Sequence, residues 1–421
     1  MMKPMINNRR QFLISGAALT AFSQARILGA NDRVRIGAIG TGGRMRGLLD
    51  CLNRIGGNDI VAVCDVYEPR RQEVRQKLAP AATEYLDYRQ LLERNDIDAV
   101  VIASPDHWHV PMTVEAVKTG KDVYLEKPVT HALEEGPVLV KAVRDSGRIV
   151  QVGTQQRSWE HFRTAVDFVS GGKLGKVTLI RTYWFQNYLR SSNAQIDTAK
   201  LDWKRWLGSA PDQPFDINRF TTWRWYWDFG GGALTDLFSH WVDVVHWAMN
   251  SDTPQVAQTM ANRYAFDWEC PDTIQASFQY PNFLTIYDGT MVASLEDGGL
   301  IFRGSGGEMR LDRARLTVYP EPDRPFGPSR LPEPSIDIAS QEDGTIAHLR
   351  NFLDCVRSRK EPNAPIEAGV AAARAAHLGN LAFKSGARVS WPIANQTDLW
   401  AQSAPKQHAF VGTLRTADTS L

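Results

Sequence analysis

Cysteine is scarce in this sequence, and its spacing excludes the roles it most often signals. Cys51, Cys64, Cys270 and Cys355 form no CxxC pair and no zinc-ligand pattern. Cys64 falls in an apolar run that reads as a buried strand, so free core thiols are expected rather than disulfides. Neither sign of charge is in excess: 48 Lys and Arg stand against 47 Asp and Glu, a formal net charge of +1. With no basic cluster to hold phosphates, nucleic acid is not expected as a partner. Long apolar runs are missing too. The nearest candidate, residues 14–22, is too short and too poor in bulky side chains to cross a bilayer, so no membrane is expected for the mature form.

What remains is a chain of 421 residues, 43% hydrophobic and 23% charged, enough for two domains with proper cores. Its first thirty residues read as a separate unit. Asn8-Arg9-Arg10-Gln11-Phe12-Leu13 is a twin-arginine pattern, followed by the modest apolar stretch. Small residues for cleavage follow at Ser23-Gln24-Ala25 or near Ala30. Export through the twin-arginine machinery to the periplasm or beyond is therefore expected. A disordered basic N-terminus is the plainer alternative.

The fold is organised around residues 34–47, VRIGAIGTGGRMRG. Val34, Ile36, Ala38 and Ile39 make an apolar run typical of a buried parallel strand. The run ends in Gly40-Thr41-Gly42-Gly43, after which Met45, Leu48, Leu49 and Leu52 recur at helical spacing. Strand, glycine turn and helix are the context of a dinucleotide-binding fingerprint. Gly40 permits the tight turn, Gly42 clears space for a pyrophosphate, and the helix N-terminus offers free N–H groups and a positive dipole end. The third glycine of the fingerprint is replaced by Met45, so looser packing of helix on strand is expected. A glycine turn can also be purely steric. A second run, residues 60–64, ends in Asp65, 25 residues after Gly40. A carboxylate there accepts hydrogen bonds from an adenosine ribose and repels a 2′-phosphate. NAD is the expected cofactor, and Arg70 and Arg71 keep NADP as the lesser reading.

The βα alternation continues to about residue 156. The run at 99–103 ends at Ser104-Pro105, the ligand-binding end of an open parallel sheet. A helix over about 110–119 leads to a strand at 122–125, which ends in Glu126-Lys127-Pro128; a last helix and strand reach residue 153. Thr41, Gly43, Arg44, Ser104, Pro105, His109, Glu126 and Lys127 complete the expected cofactor lining around Gly40, Gly42 and Asp65. Beyond residue 158 the pattern turns to α+β. Strands are expected at 177–184, 274–280 and 284–288, with a glycine-rich hairpin around 304–307. Six prolines between residues 319 and 334 require a loop or arm there.

Between residues 203 and 247 lies the stretch that speaks of substrate. Trp203, Trp206, Trp223, Trp225, Tyr226 and Trp227 approach Gly230-Gly231-Gly232. Indole faces suit the C–H faces of sugars, although most single tryptophans serve a core. Trp223 and Arg224 are the candidates for contact with substrate. After the glycines a helix carries Asp236, His240, Asp243 and Trp247 within a stripe about 60° wide. An imidazole with its pKa near neutrality, oriented by a carboxylate, suits proton transfer. A structural histidine capped by Asp236 is the blander alternative. Convergence of His107, His109 and His240 on a metal lacks a recognised ligand spacing, and no metal is expected.

These features together resemble a known family. The glycine turn, Asp65, SPDHWHVP at 104–111, GKDVYLEKPVTH at 120–131 and GGGALTDLFSHWVDVVHW at 230–247 are similar to the Gfo/Idh/MocA proteins. That family takes its name from glucose–fructose oxidoreductase, inositol dehydrogenase and rhizopine catabolism. HLRNFLDCVRSRKEP at 348–362 and HLGNLAFKSGARVSWP at 377–392 resemble its exported members. The likeness covers nearly the whole chain after residue 30, and the E-K-P triplet is its most distinctive mark. It implies a Rossmann doubly wound parallel sheet over 31–157. An α+β substrate-binding and oligomerisation domain with an open, mainly antiparallel sheet would follow over 158–400, then a tail over 401–421. One face of that open sheet would serve a homo-oligomer, dimer or tetramer. The resemblance sets Lys127 beside nicotinamide and substrate hydroxyl and gives Asp236 and His240 the acid/base roles. His109 and Asp243 are expected to line the pocket, and Lys127, Trp223, Arg224, Asp236, His240 and Asp243 to meet substrate. The implied activity is NAD(P)-dependent oxidoreduction of a sugar, cyclitol or glycoside with tightly held cofactor. An NAD-dependent glycosidase working by transient oxidation and elimination is the first alternative, and a non-catalytic sugar-binding protein the second.

Overall fold

The computed structural model describes residues 33–188, 195–323 and 332–392. The twin-arginine stretch, the tail over 401–421 and the middle of the proline-rich stretch lie outside the described residues.

The first sheet is parallel throughout. Its strands are β1 (Val34–Ile39), β2 (Asn58–Cys64), β3 (Thr83–Tyr85), β4 (Ala99–Ile102), β5 (Asp122–Leu125) and β6 (Val150–Val152), in the order β3-β2-β1-β4-β5-β6. Every residue of β4 and β5 is buried, as expected of strands covered by helices on both faces. The order reverses between β1 and β4, so a crevice opens at their carboxyl ends. Gly40 follows β1 there with φ +83°, and a Cβ on it would stand 2.9 Å from the Ala103 carbonyl after β4. Only glycine meets both conditions.

Met45 does not loosen the first helix. The helix Gly43–Ile55 buries Met45, Leu48, Leu49 and Leu52 completely, in one cluster with Val34, Ile36 and Ala38. A long, unbranched thioether fills the contact where glycine would let the backbones approach.

Among the described residues the second sheet has nine strands. They are β7 (Val177–Phe185), β8 (Val256–Asn262), β9 (Thr273–Gln279), β10 (Leu284–Thr290), β11 (Gly298–Gly304), β12 (Gly307–Asp312), β13 (Arg315–Pro320), β14 (Ile336–Ala339) and β15 (Val389–Ser390). Their order is β14-β13-β12-β11-β7-β10-β9-β8-β15, and β7 with β10 is the parallel pair in an otherwise antiparallel sheet. Burial alternates along β9 and β10, the pattern of strands packed on one face. The helices Ser239–Met249 and Ile366–Ser385 supply that packing, with Phe238 stacked on Phe278 at 4.6 Å.

The chain then returns to the first sheet. The helix Gly344–Ser358 lays Leu349, Phe352, Leu353 and Cys355 into the cluster that holds Met45 and Leu52. His348 ties it down: Nδ1 lies 2.6 Å from Ser158 Oγ and Nε2 2.8 Å from the Val152 carbonyl. The half built on the parallel sheet is thus completed by a segment from far along the chain. All four cysteines are buried free thiols.

Phe352 is fully buried at this contact. Phe352→Ala should cost about 3–5 kcal/mol of stability, read from urea denaturation; a loss below about 1 kcal/mol would detach this helix from the core.

Candidate active site

Two adjoining cavities occupy the crevice. The first is lined by Gly40, Gly42, Gly43, Arg44, Asp65, Ser104 and Pro105 from the parallel sheet. Trp206, Phe220, Trp223 and Arg224 close it from the other half. Gly42 caps the helix without any side-chain hydrogen bond, and the first turn holds no acid. A Cβ at Gly42 would meet nothing within 4 Å, so the turn faces open space. Free N–H groups, a dipole end and room beside them suit a pyrophosphate.

Asp65 stands at the edge of this cavity and is held by its own chain. Oδ2 accepts from Thr41 N at 2.7 Å and Thr41 Oγ1 at 3.0 Å, while Oδ1 accepts from Tyr67 N at 2.8 Å. Oδ2 is thereby filled, and Oδ1 keeps a further lone pair for a ribose hydroxyl. The expectation for Thr41 is corrected here: it is fully buried, and its amide and hydroxyl serve Asp65 rather than a phosphate. Arg71 turns to Glu84 at 3.4 Å, whereas Arg70 lines the cavity over the Phe220 ring at 4.6 Å.

The second cavity, about 400 Å³, shares Arg44, Ala103, Ser104, Trp223 and Arg224 with the first. Glu126 and Lys127 enter it from the end of β5, and Asp236 and His240 from the segment after the three glycines. Lys127 Nζ donates to Asp236 Oδ1 at 2.6 Å and to the Asp236 carbonyl at 2.7 Å. Arg224 Nε reaches the same carboxylate oxygen at 3.1 Å. Burial alone would raise the Asp236 carboxyl, but Lys127 and Arg224 outweigh it and hold it at about 2. Glu126 accepts from Arg44 Nε at 2.6 Å.

His240 differs from expectation in its partner. Among the described residues no hydrogen bond joins it to Asp236, and its buried Nδ1 has no partner. The reason is backbone geometry. Residues Leu234–Phe238 form a π-helical turn before the helix Ser239–Met249, so the spacing of a regular α-helix does not apply across Asp236 and His240. His240 instead stacks on Trp184, with centroids 5.8 Å apart and planes at 23°. Burial first, then the charges of Lys127, Arg313 and Arg44, push its pKa well below the ordinary histidine value, leaving a neutral ring.

Two further expectations are corrected. Asp243 does not line the cavity: it is fully buried and paired with Arg157 Nε at 2.8 and 2.9 Å. Burial raises its carboxyl even against that partner. His109 lines neither cavity. Its ring is buried between the Pro128 carbonyl, 2.5 Å from Nδ1, and the Ser104 carbonyl, 3.0 Å from Nε2. It braces the loops after β4 and β5 against each other. Of the tryptophans, Trp223 lines both cavities, Trp206 the first only, and Trp225 is core at 1% exposure. Among the described residues no three His, Cys, Asp or Glu side chains converge as a metal site. The sequence reading missed Gln155, Trp184, Gln186, Tyr188 and Arg313 in the second cavity. Gln155 stands just beyond β6, at the same ligand-binding strand end, which was a usable signal.

Comparison with known proteins agrees with this architecture. The profile "Oxidoreductase family, NAD-binding Rossmann fold" matches residues 34–154, and the profile "GFO/IDH/MocA C-terminal domain" matches 162–310. An inositol 2-dehydrogenase of Salmonella typhimurium is 24% identical over 201 residues, 48% of this chain and 49% of that protein. A glycosyl hydrolase family 109 protein of a Shewanella species is 38% identical over 112 residues, 25% of each. The chain spans about half the length, or less, of these curated relatives. Among solved structures, the WlbA dehydrogenase of Bordetella pertussis, in complex with NADH and UDP-GlcNAcA, shares the fold. It has a TM-score of 0.66 and 20% identity, covering 86% of this chain and 99% of that one.

Asp65→Ala should weaken NAD binding by about tenfold to a hundredfold and narrow the preference over NADP, measured by calorimetric titration of both nucleotides. Tighter binding of NADP by the unmodified protein would shift the determinant to Arg70.

Proposed function

Since the chain belongs to the GFO/IDH/MocA oxidoreductase family and carries its NAD-binding Rossmann domain, we propose that it oxidises or reduces a sugar, cyclitol or glycoside. One observation carries the reading: Lys127 and His240 meet in a cavity that opens directly into the nucleotide cleft. When bound, NAD takes or gives the hydride at its nicotinamide ring. The protein's own groups handle the oxygen and its proton.

Lys127 gives two of its three N–H bonds to Asp236 and keeps the third for a substrate oxygen. An ammonium held in that place stabilises the charge that develops as a hydroxyl loses its proton. His240, neutral and buried, accepts that proton in oxidation and returns it in reduction. Asp236 and Arg224 are positioning residues for the ammonium. Ser104 Oγ and Gln155 Oε1 are buried without partners on residues lining the cavity, and they suit a ligand rich in hydroxyl groups.

The kinship to a family 109 glycosyl hydrolase favours a second reading, in which oxidation is transient and a glycoside is cleaved without net redox change. Assay separates the possibilities: net NADH formation, cleavage without it, or binding with neither.

Lys127→Ala and His240→Ala should each lower kcat/KM by about 10²–10⁴-fold while fold and NAD binding persist. Oxidation should proceed with His240 unprotonated and fall only as pH drops through its depressed pKa, below the ordinary value of 6.5. Unchanged turnover in either variant removes that residue from the mechanism.

We propose also that the protein is exported folded with NAD already in place. The cleft is walled on one side by the parallel sheet and on the other by Trp206, Phe220 and Trp223, which suits a cofactor retained through turnover. Protein isolated from the periplasm should carry near-stoichiometric nucleotide through gel filtration. Periplasmic protein free of nucleotide, and active only on its addition, would overturn this.

A further inference from the structure

Among the described residues six charged side chains line the second cavity, and they do not balance. Arg44, Lys127, Arg224 and Arg313 face only Glu126 and Asp236. Glu126 is taken by Arg44 at 2.6 Å, and Asp236 by Lys127 and Arg224 at 2.6 and 3.1 Å. Arg313 is left over. Among the described residues no carboxylate forms an ion pair with it, and its Nε is buried without a hydrogen-bond partner. Asp297 attracts it without pairing.

The place of this guanidinium is well defined. Arg313 lies in the turn between β12 and β13, its guanidinium carbon 4.8 Å from the centroid of the Trp184 ring. That same ring stacks on His240. One indole therefore packs against both the spare cation and the histidine, and all three line the same cavity. Arginine does not shed its proton, so a partly desolvated guanidinium calls for an anion. The cofactor does not supply it: the pyrophosphate belongs at the Gly42 turn, in the first cavity, which Arg313 does not line.

We infer that the substrate is an acidic sugar, a uronate or aldonate, whose carboxylate is received by Arg313 while Lys127 and His240 act on a hydroxyl of the same residue. A guanidinium fork matches a carboxylate in plane and offers two parallel hydrogen bonds. Trp184 stiffens the fork by stacking, so little freedom is lost on binding. The inference rests on the second cavity being the substrate site.

The test uses the full, NAD-loaded protein and matched ligands: glucuronate, galacturonate and gluconate, each against its uncharged methyl ester or parent sugar. Binding is read by calorimetry and by tryptophan fluorescence, independently of turnover. The acids should bind at least about tenfold more tightly than their neutral counterparts. Arg313→Gln should cost the acids about tenfold to a hundredfold and the neutral ligands less than about threefold. Arg313→Lys, with charge but no fork, should fall between. Equal binding of acid and neutral forms, an unchanged preference in Arg313→Gln, or no binding by any of the three acids would overturn the inference. An acid that binds with this preference yet yields neither NADH nor glycoside cleavage would sink the catalytic reading alone.

Discussion

The contact on which this site depends is the buried pair of Lys127 and Asp236. Taking two charges out of water costs several kcal/mol per ion unless geometry and further hydrogen bonds compensate. Here the ammonium also reaches the Asp236 carbonyl, and Arg224 adds a second cation to the carboxylate. The pair joins the end of a Rossmann strand to the π-helical turn of the other half. Removing Asp236 would leave Lys127 charged, nearly dry and unpaired, whereas Asp236 without Lys127 would keep Arg224. The pair thus fixes the spacing between the sheet that carries the nucleotide cleft and the segment that carries His240.

Around it, several polar groups act as scaffolding and leave their neighbours free. Thr41 and the Tyr67 amide aim the Asp65 carboxylate, and His109 spans the loops after β4 and β5. Arg157 takes up Asp243, so that a charge close in sequence to His240 stays out of the cavity. Ser104 Oγ, Gln155 Oε1 and His240 Nδ1 stay without partners, an arrangement that costs stability unless a ligand satisfies them.

The Rossmann half was legible because its signals are local. A run of β-branched residues, a glycine turn and an acid at the next strand end each act within a few residues of themselves. Lys127 was readable for the same reason, at the tip of a buried strand. The helix with Asp236 and His240 was readable only in part. Regular 100° spacing brings Asp236, His240, Asp243 and Trp247 to one face, but the π-helical turn breaks that register, and nothing in GGGALTDLF announces it. Asp243 and His109 were misplaced because their partners, Arg157 and the Pro128 carbonyl, are set by tertiary packing. Arg313 carried no signal: it is one arginine in a hairpin turn whose meaning comes from what β7 places beside it.

The return of the helix Gly344–Ser358 to the first sheet has a consequence for the order of events during synthesis. A chain leaves the ribosome N-terminus first, so all six parallel strands are made long before Phe352 and Leu353 exist to cover Leu49 and Leu52. Until then the nucleotide half has an uncovered apolar face and no His348 to pin β6. Contacts so distant in sequence close late and slowly. The glycine turn that lines the first cavity sits at the head of the very helix this segment covers. The core under that turn is therefore finished only when all but the last tenth or so of the described chain has been made, so the half that is synthesised first is among the last to be closed.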